Sequence, residues 1–308
     1  MDLQAQAVLD RLAALAPVTP AETDDATWLA NFRYGVALIA SFAAPPEPVL
    51  RVEQRVIAGG AGSMPVRLFR PIEGLLPVLL YLHGGGAVAG SVDGHDSPLR
   101  ALANRSGWLV VAPDYRLAPA ARFPAQVDDA EAALAWLVAS AEAIGGDATR
   151  VVIAGDSIGG AFAAALAAHA RDSGPALAGQ ILLYPNTDLR RDADYPSRRS
   201  ENGRIIERAG LERQFDLSLA NEADRDSALA SPVLMDCAGL PPTLLITNEC
   251  DPLRDEGEAL GRRMAEAGVT VTHRRFDGMI HAFMQMSAQI NAAEELFALI
   301  ADWLHRRV

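Results

Sequence analysis

Short runs that are apolar at nearly every position, alternating with helical stretches, predict an α/β protein built on a mostly parallel, doubly wound sheet. The runs are Val78–Leu82, Trp108–Ala112, Val151–Ala154, Ile181–Tyr184 and Thr243–Ile246. Strands covered by helices on both faces need such uninterrupted apolar sequence. Between them lie Ser97–Arg105, Gln126–Glu142, Gly159–Arg171 and Arg254–Ala267, long enough to serve as right-handed crossover helices. A chain of 308 residues has room for one such domain and an added lobe.

Taken in order, residues 1–48 read as amphipathic helices. Val8, Leu9, Leu12, Leu15, Trp28, Phe32, Val36 and Ile39 recur near helical spacing. The segment Ala44-Pro45-Pro46-Glu47-Pro48 stops them, because consecutive prolines cannot continue a helix. Val49–Val56 and Met64–Arg70, separated by Gly59-Gly60-Ala61-Gly62, read as an edge hairpin. The α/β core is expected over 49–188 and again over 229–308. In 189–228 no strand run occurs, and charges crowd around Ile205, Ile206, Leu211, Phe215, Leu217 and Leu219. A structureless loop of that length is uncommon in a compact domain. This segment is expected to be a helical insertion that joins the N-terminal helices as a cap over the carboxyl edge of the sheet.

Composition removes several classes of function. A net charge of −12 disfavours phosphate backbones, which need clustered cations, so no nucleic-acid partner is expected and a neutral ligand fits better than a polyanion. The two cysteines, Cys237 and Cys250, have no metal-ligand spacing and read as free thiols of a reducing compartment. Met1-Asp2-Leu3-Gln4 lacks the basic start of a signal peptide. The longest apolar run, Tyr34–Ala44, falls well short of the roughly 20 residues that cross a membrane. The expectation is a cytoplasmic protein with no metal and no membrane partner.

The sharpest chemical signal is Gly155-Asp156-Ser157-Ile158-Gly159, directly after one strand run and directly before a helix. A G-x-S-x-G in that context marks a turn so tight that its flanking residues must be small. The turn lifts the serine hydroxyl clear of the sheet at a helix N-terminus, where free N–H groups favour developing negative charge. A second signal, His83-Gly84-Gly85-Gly86, ends the run Val78–Leu82. Three glycines in a row let main chain approach another group closely, so their N–H groups and that of Ile158 can face an oxyanion.

Of the six histidines, His169, His273 and His305 fall inside expected helices or a strand. His281 follows the expected strand Val269–Phe276 on a loop that can return over the active edge, and is the best general base. Asp251 follows Thr243–Ile246 and precedes a helix, the station of a carboxylate that orients the imidazole. Its rival, Asp255, falls within that helix. The chain order Ser157, Asp251, His281 is that of α/β-hydrolases rather than of the chymotrypsin or subtilisin types.

These motifs, with Asp114-Tyr115-Arg116-Leu117-Ala118-Pro119, Phe123-Pro124-Ala125, Ser231-Pro232, Asp251-Pro252-Leu253-Arg254-Asp255 and His281-Ala282-Phe283, resemble the hormone-sensitive-lipase-like esterases, the microbial family IV carboxylesterases. The resemblance runs from about Arg51 to the end of the sequence. It implies an α/β-hydrolase fold with a helical cap, and a serine esterase acting on short- to medium-chain acyl esters without a cofactor. It assigns Ser157 as nucleophile, Asp251 as acid, His281 as base, and the N–H groups of Gly85, Gly86 and Ile158 as oxyanion donors. His83 and Gly84 would organise the glycine loop, and Asp156 would brace the serine turn. Phe32 and Tyr34 from one cap segment, and Leu211 and Phe215 from the other, are candidates to line the pocket. Relatives often pair as homodimers through an edge strand. Where that family usually has alanine after the nucleophile, this chain has Ile158, a branched side chain that crowds the acyl or alcohol pocket.

Amide, lactone or carbamate hydrolysis by the same triad is a close competitor, since the chemistry is shared; two readings from other classes fit less well. The plant gibberellin receptors resemble these esterases but have lost the catalytic histidine, whereas His281 is present here. A dinucleotide-binding protein needs G-x-G-x-x-G after its first buried strand, and the motif does not occur there.

Overall fold

The computed structural model describes residues 1–16 and 23–307. Two helices come first, α1 (Leu3–Leu15) and α2 (Asp25–Ala40), each started by an aspartate, Asp2 and Asp24, whose carboxylate accepts from backbone N–H groups of the first turn. The hairpin β1 (Arg51–Gly59) and β2 (Gly62–Arg70) turns through Gly60-Ala61. Strands and helices then alternate as β3 (Leu76–Leu82), α3 (Asp96–Ser106), β4 (Leu109–Pro113), α4 (Ala125–Ser140), β5 (Gly146–Asp156), α5 (Ile158–Ser173) and β6 (Gly179–Leu183). The helices α6 (Pro196–Ser200) and α7 (Arg208–Ser218) precede β7 (Thr243–Cys250), α8 (Arg254–Glu266), β8 (Val271–Ile280) and α9 (Ala292–His305).

One eight-stranded sheet results, in the order β1-β2-β4-β3-β5-β6-β7-β8. The β1–β2 and β2–β4 pairs are antiparallel and the rest are parallel. The burial explains the apolar runs. Val78, Leu80, Leu82, Val151 and Ile153 join a core on one face, whereas Leu79, Tyr81, Val152 and Ala154 join a second core on the other. Both faces are dry, so no position in these strands is free to be charged. The chain leaves β3 toward β4 on one side and crosses back to β5 on the other. Such a reversal opens a crevice at the carboxyl ends of the strands.

The last strand departs from expectation. Asp277-Gly278 reads as a turn after Phe276, yet β8 continues to Ile280. Gly278 adopts φ 73°, and the pairing with β7 shifts register between Asn248 and Cys250. The glycine thus makes a bulge within the strand, and Met279 and Ile280 are buried beyond it.

The segment 189–228 contains α6 and α7, and α7 lies against α2. Leu217 packs with Trp28, Leu29 and Phe32 over Val88 and Ala118. Arg213 pairs with Asp25 at 2.7 Å and lies 5.4 Å from the centre of the Trp28 ring. α6 is held to the core by a buried ion pair: Arg198 Nε donates to Glu256 Oε2 at 2.8 Å. Glu256 Oε1 accepts from Asn186 Nδ2 at 2.8 Å and from Thr187 N at 2.7 Å. One carboxylate on α8 therefore fixes both α6 and the chain leaving β6. Removing one partner of such a pair strands the other charge, at a cost of about 3–5 kcal/mol. Glu256→Ala is expected to lower the melting temperature by on the order of 10 °C in thermal unfolding, and Glu256→Gln by less.

Candidate active site

Backbone register brings the predicted residues together. In the parallel β3–β5 pair, Leu82 lies beside Gly155, so the glycine loop starts level with the turn that carries Ser157. In the β7–β8 pair, Cys250 lies beside Ile280, so Asp251 and His281 follow side by side. All four strands end at the same edge.

The turn is as tight as its sequence requires. A Cβ on Gly155 would collide with the Gly159 carbonyl and lie 2.8 Å from that of Leu82. A Cβ on Gly159 would collide with the Leu82 carbonyl and lie 2.6 Å from that of His83. Ser157 takes φ 56° and ψ −122°, a conformation that side chains rarely adopt. It is held there by Ser157 N donating to Leu183 O at 2.9 Å and by Asn186 N donating to Ser157 O at 3.0 Å. α5 begins at the next residue, Ile158.

Ser157 Oγ is 2.9 Å from His281 Nε2, and His281 Nδ1 is 2.8 Å from Asp251 Oδ2. Asp251 is fully buried, and its carboxylate also accepts from Leu253 N at 2.9 Å and Asn248 Nδ2 at 3.3 Å. Asn248 donates as well to Ile280 O at 3.0 Å, which steadies the start of the histidine loop. Tyr184 meets the His281 ring edge to face at 5.1 Å. Asp255 instead accepts from Ser197 N at 2.8 Å and supports α6.

The glycine loop turns at Gly85 (φ 124°) and Gly86 (φ 65°), both in the region that favours glycine. Asp156 fastens this loop to the serine turn: its Oδ1 accepts from Gly84 N and from Tyr81 Oη, each at 2.9 Å. His95 Nε2 lies 3.2 Å from the same oxygen and also contacts Gln285. His83 Nδ1 lies 2.8 Å from Gly84 O, and Tyr115 Oη donates to His83 O at 2.5 Å. The sequence singled out His83, Gly84 and Asp156 but gave no part to Tyr81, His95, Tyr115 or Gln285. Tyr81 was the available signal, since a hydroxyl inside a wholly apolar strand must find a buried partner.

The pocket candidates divide. Leu211 and Phe215 are buried in the same core cluster as Ile158 and Ala87. Phe32 belongs to the small cluster over Val88, and Tyr34 is half exposed on α2. Ile158, Ala87, Phe123, Phe162, Leu189 and Leu219 border a hollow of only about 10 Å³. A larger one, about 460 Å³, lies beneath α2, with Val36, Ala37, Ala89 and Leu117 among its walls and His95 and Gln285 at its polar side. Among the described residues, no cluster of side chains suits a metal ion and no helix is long and apolar enough to cross a membrane.

Residues 79–285 match the family described as the alpha/beta hydrolase fold. The chain is 37% identical over 302 residues to an ethyl acetate hydrolase of Pseudomonas putida, covering 95% of this chain and 92% of that protein. It is 38% identical over 263 residues to a carboxylesterase, NlhH, of Mycobacterium tuberculosis, covering 82% of each. Among solved structures, a hyperthermophilic esterase from Pyrobaculum calidifontis superposes with a TM-score of 0.92 at 36% identity, covering 99% of this chain and 97% of that one. The chain therefore belongs to the α/β-hydrolase fold family. It is a carboxylic ester hydrolase, as the resemblance to the hormone-sensitive-lipase-like esterases implies.

The buried network around Asp156 has a pH signature. Burial, reinforced by the nearby charge of His95, pulls the His83 imidazole down to about 4, against smaller opposing effects of Gly84 and Asp156. Burial also disfavours charge on His95, but Asp156 outweighs it and holds the imidazole above its ordinary value. An unfolded chain protonates residue 83 below about pH 6.5, while the folded chain keeps it neutral down to about pH 4. The stability this site contributes is complete above pH 6.5 and declines toward pH 4, by on the order of 3 kcal/mol. His95 has the opposite sign: its contribution is complete below pH 6.5 and is lost as pH rises through its folded value. Melting curves between pH 7 and 4.5 are expected to fall less steeply for His83→Asn than for wild type. Parallel curves would refute the assignment.

Proposed function

We propose that this ester hydrolase is a serine carboxylesterase that cleaves short- to medium-chain acyl esters through an acyl-enzyme intermediate. The observation that carries the reading is the unbroken contact chain Ser157 Oγ–His281 Nε2 and His281 Nδ1–Asp251 Oδ2, at 2.9 and 2.8 Å. His281 takes the proton of Ser157 as the hydroxyl attacks the ester carbonyl. The N–H groups of Gly85, Gly86 and Ile158 receive the oxyanion. His281 then passes its proton to the departing alcohol, and water activated by the same imidazole releases the acid. Asp251 keeps the imidazole in the tautomer that accepts from serine and stabilises its cation. His83, Gly84 and Asp156 set the glycine loop at the distance that the oxyanion needs.

The hollow of about 10 Å³ beside Ile158 holds at most one water, which supports a limit on acyl length. The hollow of about 460 Å³ beneath α2 falls in the size range of small-molecule sites, but none of Ser157, His281 and Gly86 is among its walls. In this reading, residues 1–48 and 189–228 form the cap, with Phe32, Tyr34, Leu211 and Phe215 its candidates for substrate contact. The enzyme works without a cofactor. Two buried free thiols, Cys237 and Cys250, support a reducing, cytoplasmic setting.

Hydrolysis of p-nitrophenyl esters from acetate to palmitate tests this directly. The rate is expected to peak at short or medium chains and to fall by about 10⁶ in Ser157→Ala. A folded protein inactive at every length would sink the proposal. Asp251→Asn keeps the shape but favours the wrong imidazole tautomer. It is expected to lower kcat by about 10⁴ in the same assay.

A further inference from the structure

α7 carries a neutral polar side chain toward the glycine loop and leaves it without a partner. Gln214 is 8% exposed, and among the described residues its carboxamide makes no hydrogen bond. The rest of that helix face is engaged: Leu211 and Phe215 are core residues, and the Ser218 hydroxyl donates to Phe215 O at 3.2 Å. Gln214 lies directly against Gly86. A side chain on that glycine would collide with the carboxamide oxygen and come within 2.8 Å of the carboxamide carbon. The Gln126 and Gln180 carboxamide oxygens, by contrast, are sealed from solvent, and the amide of each donates to protein. The Gln214 carboxamide, which lies against Gly86, is not sealed in this way.

An enclosed amide with no protein partner and a narrow opening is satisfied only by solvent, and a bound molecule with a matching polar group can take the place of that water. The molecule that reaches Gly86 is the ester itself, whose carbonyl oxygen is received there in the function proposed above, on which this inference rests. We infer that Gln214 is a specificity-determining residue that hydrogen-bonds a second oxygen of the substrate, close to the scissile carbonyl. The favoured substrates are then oxygenated esters, such as hydroxy esters, keto esters or diesters, rather than esters of plain hydrocarbon chains. A carboxamide has both donor and acceptor ends, so a hydroxyl and a carbonyl are each accommodated.

The test compares kcat and KM for ethyl butyrate, ethyl 3-hydroxybutyrate and ethyl acetoacetate, with wild type and Gln214→Met, a substitution that keeps length but removes the amide. Wild type is expected to favour the oxygenated esters by about tenfold in kcat/KM, mainly through KM. In Gln214→Met that ratio is expected to collapse toward one. The melting temperature of Gln214→Met is expected to equal or exceed that of wild type, since no hydrogen bond of the folded protein is lost. An equal preference in both proteins, or a clear fall in melting temperature, would overturn the assignment while leaving the esterase reading intact. Inactivity of wild type on all three esters, with activity on none of the p-nitrophenyl series, would remove both.

Discussion

Where β5 gives way to α5, three stretches of main chain come closer than any side chain permits. The carbonyls of Leu82, His83 and Gly159 occupy the positions that side chains on Gly155 and Gly159 would take. This contact presses the first turn of α5 against the end of β3 and forces Ser157 into its strained conformation. The serine hydroxyl then has one direction to point, across the strand ends toward His281. The glycine loop also depends on it, because Asp156 in the same turn accepts from Gly84 N and thereby sets the height of the loop beside Ser157. Strain of this kind costs on the order of 1–3 kcal/mol and persists only when the surroundings over-determine it. The sheet, dry on both faces, supplies that rigidity.

Electrostatics beneath the loop follow from burial. Asp156, His83 and His95 are almost wholly enclosed, so each proton among them affects the others strongly. Asp156 stays ionised although burial opposes it, because His95 and Tyr81 face its carboxylate. Against burial, Asp156 raises the His95 imidazole above its ordinary value, while burial lowers that of His83, whose Nδ1 lies beside Gly84 O and the Tyr115 hydroxyl. The chain has thus placed an aspartate–histidine contact behind the glycine loop and a ring that resists protonation within it.

Much of this was legible in the sequence. Strands buried on both faces need short uninterrupted apolar runs, and their alternation with longer helical stretches let β3, β5, β6 and β7 be found. Ser157 was legible because its turn demands glycine at two fixed positions. Asp251 and His281 were found by their place after strands. The end of β8 is not legible because Asp277-Gly278 has the chemistry of a turn, while pairing with neighbouring β7 makes it a bulge. Tertiary pairing decided between two uses of one glycine. His95 and Gln285 meet across 190 residues of sequence, so no local pattern announces their contact. Gln214 was equally hidden: a glutamine on an amphipathic helix reads as solvent-facing until the helix is seen lying on Gly86.

The separation of the site residues along the chain bears on how the protein is made. Ser157 and His281 are 124 residues apart, and Asp156 and Gly84 are 72 apart. No fragment that stops short of β8 holds the imidazole next to the serine. During synthesis the strained serine turn can form well before the base arrives, and a chain interrupted after α8 has every feature of the turn without the contact that proposed catalysis needs. Such non-local pairings also form slowly, because loop closure must precede their reward. In the proposed mechanism, ester cleavage by this enzyme therefore reports on more than a collapsed core: it requires the strand that leads to His281 to have docked beside β7.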